Sequence, residues 1–210
     1  MVAKNWGHDF GGHGMDGADH SKPPATGIDH GGCCVIITGA PASGKSTISR
    51  RLAEQLERSA YLNGDQVHWM VVGGRVWALG EPPEEAARQV RLGNLNLVSI
   101  AKNCAEAGFT PIIDWIIPDQ EQLDFIVENL APLPVWLVVL APGAEVCHRR
   151  NNEREDQFDF DGYEALVSGM DREFGRRALW IDSSRQSPEE TLDALHGASR
   201  LGSGRILTSM

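Results

Sequence analysis

The chain has 210 residues and a formal charge of −10, with 41% hydrophobic and 23% charged residues, the balance of a globular protein. That length suffices for one domain with a sizeable core, and the negative charge argues against the phosphate backbone of nucleic acid as a main partner. No apolar run approaches the roughly 20 residues needed to span a bilayer, and the first residues lack the basic-then-apolar layout of a secretory signal.

Residues 1–31 stand apart. They are rich in glycine, hold four of the seven histidines (His8, His13, His20 and His30) and contain almost no aliphatic side chains. Such a stretch cannot bury enough apolar surface to offset its ordering entropy, so a flexible arm dispensable for chemistry is expected. The histidine spacings are irregular and no cysteine accompanies them, which favours a solvated tail over a metal site. From Cys33 onward, apolar runs alternate with helical patterns. Cys33–Thr38 reads as a strand buried on both faces. Lys45–Arg58 reads as a helix with Ile48, Leu52 and Leu56 at helical spacing, and Ala60–Leu62 as a short strand. A long helix is predicted from Pro83 to Ala107, with Gly108 as its stop. Thr110–Asp114 follows as a strand, Asp119–Leu130 as a helix, Val135–Leu140 as a strand and Glu145–Arg154 as a helix. A polar stretch, Asn151–Asp161, precedes a last strand at Ala178–Asp182 and a last helix at Ser187–His196, with Pro188 at its start. The Gly/Ser-rich tail from Gly197, and all of 199–210, is expected to fray.

This order predicts an α/β domain over 32–198, with a parallel sheet covered on both faces. The four cysteines (Cys33, Cys34, Cys104 and Cys147) show no CxxC spacing. They read as free thiols in a reducing, cytoplasmic setting.

Gly39, Ala40, Pro41, Ala42, Ser43, Gly44, Lys45 and Ser46 match GxxxxGK[ST] at every fixed position, with Thr47 next. A strand before and an amphipathic helix after supply the setting that a phosphate loop requires. Its glycines let backbone N–H groups curl around phosphate oxygens, and the helix start adds its positive dipole end. Lys45 would bridge the β- and γ-phosphates and the Ser46 hydroxyl would hold Mg²⁺.

Two aspartates sit at strand ends, where ligands bind in open α/β sheets: Asp65 in Leu62-Asn-Gly-Asp65 and Asp114 in Pro111-Ile-Ile-Asp114. Asp65 is the candidate general base toward an attacking hydroxyl, and Asp114 the metal-side carboxylate. Beyond Asp65, Trp69, Met70 and Trp77 either line a pocket for a partly apolar acceptor or belong to the core. His68, a lone histidine, reads as structural. Arg149, Arg150 and Arg154 lie where the polar stretch begins. Arginines from a mobile lid, about 150–162, can neutralise the charge that phosphoryl transfer loads on the equatorial oxygens. Arg150 and Arg154 are expected on one helical face.

These features together make the sequence resemble the small P-loop kinases that include chloramphenicol phosphotransferase-like proteins and their relatives in the AAA_33 ATPase group. The resemblance covers about 33–198. It rests on Gly39–Thr47, Asn63-Gly-Asp65, Gly108-Phe109 leading to Asp114, Val138-Val-Leu-Ala-Pro142, Arg150 to Arg154, and Trp180-Ile-Asp182 with Ser187-Pro-Glu-Glu190-Thr. It implies a P-loop NTPase fold like that of nucleoside monophosphate kinases: a five-stranded parallel sheet of order 2-3-1-4-5, with helices on both faces and a small lid. It further implies ATP with Mg²⁺, transfer of the γ-phosphoryl to a hydroxyl of a small molecule (metabolite or antibiotic), Asp65 as base, and Arg150 or Arg154 on ATP. Relatives commonly carry a second acidic residue after the third strand, where this chain has Trp115. Two other readings stay open. A nucleotide kinase would need acceptor-side arginines, for which Arg75, Arg88 and Arg91 are available. A regulatory ATPase would transfer phosphate only to water.

Overall fold

The computed structural model describes residues 32–155, 160–200 and 203–206. The expected arm and the middle of the expected lid (156–159) lie outside these residues. Strands β1 (Cys34–Gly39) and β4 (Val135–Leu140) are the apolar runs CVIITG and VWLVVL, and every residue of both is buried. Their side chains alternate between two cores, as the pleat of a strand demands. Cys34 and Ile36, with Val135, Leu137 and Val139, enter one core; Val35 and Ile37, with Trp136, Val138 and Leu140, enter the other. Helices cover both faces. α1 (Lys45–Gln55) and α7 (Pro188–Arg200) pack on the second core through Ile48, Leu52, Leu192 and Leu195. α3 (Pro83–Glu106), α4 (Gln120–Leu130) and α6 (Tyr163–Phe174) close the first through Leu97, Leu123, Ile126, Met170 and Phe174.

The sheet runs β2 (Ser59–Asn63), β3 (Thr110–Asp114), β1, β4 and β5 (Leu179–Ile181), all parallel. The 2-3-1-4-5 order is therefore as the resemblance implies. A sixth strand corrects the count: β6 (Arg205–Ile206) pairs antiparallel with Val135 and Trp136, on the edge of β4 whose later residues hold β5. The expected fraying from Gly197 is corrected with it. α7 runs on to Arg200, and Leu137 N–H donates to Gly204 O at 2.8 Å, tying the returning chain to β4.

Local signals explain most boundaries. α3 begins with Pro83 and carries Glu84 and Glu85 in its first turn, where the helix dipole favours acids. Asp119 caps α4 by accepting from Gln122 N–H. Ser187 and Glu190 form a reciprocal capping box at α7, each accepting from the other's backbone N–H at 3.2 and 2.7 Å. Two elements are additions to the sequence reading: α2 (Gly64–His68) and α6. α5 (Ala144–Asn152) ends before Arg154, so Arg150 and Arg154 do not share a helical face as expected. Among the described residues no helix is long and apolar enough to cross a membrane, and all four cysteines are free.

Leu52 is fully buried and joins the helix after the phosphate loop to the sheet. Leu52→Ala is expected to cost about 2–5 kcal/mol of unfolding free energy, the usual range for a leucine truncated in a core that relaxes only partly. Urea denaturation followed by circular dichroism measures it.

Candidate functional site

β1 delivers the chain into a loop, Ala40–Gly44, whose backbone most residues would resist. Gly39 and Gly44 have φ of +144° and +103°, and Ala42 itself takes φ +59°, a conformation that side chains ordinarily avoid. A Cβ on Gly39 would stand 2.4 Å from Leu140 O and 2.8 Å from Ser43 Oγ, so this turn fits only glycine. Ser43 N–H closes the loop on Ala40 O at 3.2 Å. α1 then starts without a side-chain cap, which leaves its first N–H groups to an anion. Ser43 Oγ is buried and has no hydrogen-bond partner among the described residues.

Lys45 folds back across the loop, and its Nζ donates to Ala40 O at 2.9 Å. It is nearly buried. Dehydration lowers its pKa, while Asp114 and then Asp65 act in the opposite sense by favouring the ammonium. Both predicted aspartates therefore stand within electrostatic reach of the predicted lysine. The strand order accounts for this. β3 lies between β1 and β2, with Asp114 opposite Ile37 on one side and Asn63 on the other. The two carboxylates differ in setting. Asp114 is buried and accepts a hydrogen bond from Tyr61 OH at 2.9 Å on Oδ2. Asp65 lies in the first turn of α2 with its side chain open to solvent at the rim. Partial dehydration there raises its pKa, Lys45 pulls it down and Asp114 pushes it up.

α2 is held by packing. Asn63 caps it by accepting from Gln66 N–H at 3.0 Å. The His68 ring stacks on Trp115, centroids 4.0 Å apart and planes 18° from parallel. Each ring fills a space where a side chain is missing. A Cβ on Gly64 would lie 2.3 Å from the Trp115 ring, and one on Gly93 2.2 Å from the imidazole. Burial holds the His68 pKa down at about 4, so the ring is neutral at pH 7. Trp115 is thus a packing residue. Trp69 N–H donates to Asp65 O, so α2's turn continues and places Trp69 beside Asp65. Trp69, Met70 and Trp77 are 54, 65 and 48% exposed, which decides for surface over core. Gln89 fixes the loop behind them, accepting from Val76 N–H and donating to Gly74 O.

Of the predicted arginines, Arg150 reaches the loop. Arg150 donates to Ser43 O at 3.2 Å and to Ser183 O at 3.1 Å, joining the phosphate loop to the segment after β5. Arg154 is exposed, yet its charge is felt by Lys45. Arg149 is exposed. Of the acceptor-side candidates, Arg88 pairs with Glu85 and Arg91 lies over the Phe125 ring; Arg75 is on the exposed loop. Tyr61, Arg50 and Ser183 are site residues that sequence reading missed. The only signal was a tyrosine two residues before Asn63, on the same side of a strand.

The residues fit Mg²⁺ by donor chemistry. Ser46 and Asp114 offer hard oxygens, and Tyr61 OH holds Oδ2 of Asp114. Mg²⁺ commonly takes one or two such ligands with water and substrate phosphates. Among the described residues no group of three or more His, Cys, Asp or Glu is placed to hold a metal.

Solved structures share this architecture. An unliganded sugar kinase from Janibacter sp. HTCC2649 aligns with a TM-score of 0.60 at 20% identity, over 81% of this chain and 94% of that one. Shikimate kinase from Acinetobacter baumannii, in complex with shikimate, gives 0.55 at 15% identity over 78% and 90%. The Mycobacterium tuberculosis APS kinase CysC, in complex with AMPPNP and APS, gives 0.53 at 20% identity over 82% and 99%. At these identities the likeness shows the fold alone. No curated protein matches the chain. The profile of the AAA_33 family, described as an AAA domain, matches residues 34–176. That span carries the phosphate loop, both strand-end aspartates, Arg150 and Arg154, and the protein belongs to the AAA_33 family.

Proposed function

We propose that the protein is an ATP-dependent phosphotransferase that moves the γ-phosphoryl of ATP to a hydroxyl of a small molecule with an apolar body. The observation that carries this reading is the meeting of Lys45, Ser46, Asp114 and Asp65 at the carboxyl ends of β1–β3. The kinase identities of the similar structures support it, as does the AMPPNP complex among them.

On this reading the loop amides of 40–47 and Lys45 grip the β- and γ-phosphates. Ser46 and Asp114 hold Mg²⁺, which neutralises phosphate charge when bound. Asp65 takes the proton of the attacking hydroxyl. The acceptor oxygen bonds to the γ-phosphorus as the bridge to the β-phosphate breaks, and ADP departs. A carboxylate raised by dehydration is a better proton acceptor than one in water, which suits Asp65. Arg150, already on Ser43 O, and Arg154 face the charge that builds on the transferring group.

The acceptor class is argued from surroundings. Trp69 beside the base, with Met70 and Trp77 exposed nearby, offers flat apolar contact. Arg88 and Arg91 are engaged by Glu85 and Phe125, which favours a hydroxyl over a phosphate acceptor. The four free cysteines suit a reducing, cytoplasmic setting, and the net charge of −10 suits neither nucleic acid nor an anionic membrane as partner.

Lys45→Ala is expected to weaken AMPPNP binding about 100-fold or more by calorimetry, the scale of losing a central charge-stabilising donor. Asp65→Asn should keep ATP affinity near wild type while transfer falls about 10²–10⁴-fold. Radiolabelled γ-phosphate, followed across nucleosides, nucleotides, sugars and hydroxylated aromatic compounds, identifies the acceptor class; hydrolysis that no acceptor stimulates would point to the regulatory ATPase instead. With the acceptor that screen yields, Trp69→Ala should raise the acceptor KM about tenfold, on the scale of one lost aromatic contact, and leave the ATP KM unchanged.

A further inference from the structure

We propose that Tyr61 is a positioning residue for the cation: its hydroxyl holds Oδ2 of the Asp114 carboxylate and leaves Oδ1 for the metal that Asp114 and Ser46 would share. The inference rests on the reading of Ser46 and Asp114 as cation ligands and adds a third residue behind them.

The argument follows the protons. A phenol has one proton to give and two lone pairs to fill. Tyr61 OH gives its proton to Asp114 Oδ2 at 2.9 Å. It accepts from Asn63 Nδ2 at 3.1 Å. The phenol proton is committed to Asp114 Oδ2, which leaves Oδ1 of that carboxylate for a ligand. Without the phenol, Oδ2 loses the partner that fixes which oxygen faces the cation, and the carboxylate would be free to turn.

The ring is held independently of its hydroxyl. Tyr61 lies within β2 opposite Ile112 of β3, and the Arg50 guanidinium from α1 sits 4.8 Å from its ring centroid. Asn63, its other partner, is also the cap of α2. One hydroxyl thus links β2 to β3 and, through Asn63, reaches the helix that carries Asp65. Partners that orient metal ligands commonly change metal affinity 10–100-fold when removed.

The test uses the full chain with Mn²⁺ as a paramagnetic stand-in for Mg²⁺ and AMPPNP as nucleotide. Tyr61→Phe keeps the ring and removes only the hydroxyl. It is expected to weaken Mn²⁺ binding about 10–100-fold by electron paramagnetic resonance titration, with AMPPNP affinity in EDTA and the circular dichroism spectrum unchanged. Tyr61→Gln, whose amide can still donate to Asp114, should weaken it less. Wild-type Mn²⁺ affinity in Tyr61→Phe, with Asp114→Asn impaired, overturns the role of Tyr61 and leaves the metal reading standing. Equal loss of metal-free AMPPNP binding assigns Tyr61 a general structural role and also overturns the proposal. Unchanged Mn²⁺ binding in both Tyr61→Phe and Asp114→Asn removes the metal reading itself, and the proposal with it.

Discussion

An ammonium group nearly removed from water governs the design of this molecule. Burying a charge costs several kcal/mol unless other charges and dipoles replace its hydration. Lys45 has the Ala40 carbonyl at 2.9 Å and the through-space support of Asp114 and Asp65. Asp114 ends β3 and Asp65 follows β2 on α2, so the lysine is tolerable only where both segments finish at the end of the sheet that β1 reaches. The 2-3-1 half of the sheet is thus an electrostatic requirement as much as a packing one. A chain that threaded β2 elsewhere would take Asp65 away from Lys45.

The same juxtaposition separates the two aspartates into roles. Asp114 is buried, bound by Tyr61 and fixed; Asp65 stands at the rim on the first turn of a short helix. Packing, with no covalent or ionic tie to the loop, aims that helix. Trp115 occupies the space above Gly64, His68 stacks on Trp115, and Gly93 makes room for His68. Interiors packed at crystal-like density transmit small displacements rather than absorb them. The position of Asp65 therefore depends on two missing Cβ atoms and two aromatic rings.

Much of this was legible in the sequence because it rests on strong local signals. β3 and β4 carry the predicted bounds, since a strand buried on both faces is a continuous apolar run and cannot hide. The phosphate loop is legible because its backbone demands glycine at set positions. α6 could have been read: Tyr163, Leu166, Val167, Met170 and Phe174 fall at helical spacing, and Asn151–Asp161 drew attention away from them. α2 and β6 could not, because five residues and two residues are too short for any period to show. The misplaced pairing of Arg150 with Arg154 has a further cause. Spacing of four implies a shared face only while the helix lasts, and α5 ends at Asn152.

The site then divides into a half that physics constrains and a half that it leaves open. On the nucleotide side, left-handed backbone, a buried lysine and Arg150 bonded to two backbone carbonyls admit few alternatives. On the acceptor side, Trp69, Met70, Val72, Trp77 and Leu79 are exposed, and Gln89 holds the backbone at Gly74 and Val76 through two hydrogen bonds. Residues whose packing is already satisfied elsewhere can change without unfolding the protein, so this loop is free to follow the shape of an acceptor. Apolar surface kept in water near a base has a steady cost, about 25 cal/mol for each Å² left unburied. On the reading proposed above, an acceptor that covers Trp69 would recover part of that cost as its hydroxyl met Asp65. Binding energy from the unreactive body of such an acceptor would then hold the reacting oxygen at Asp65, where proximity lowers the barrier.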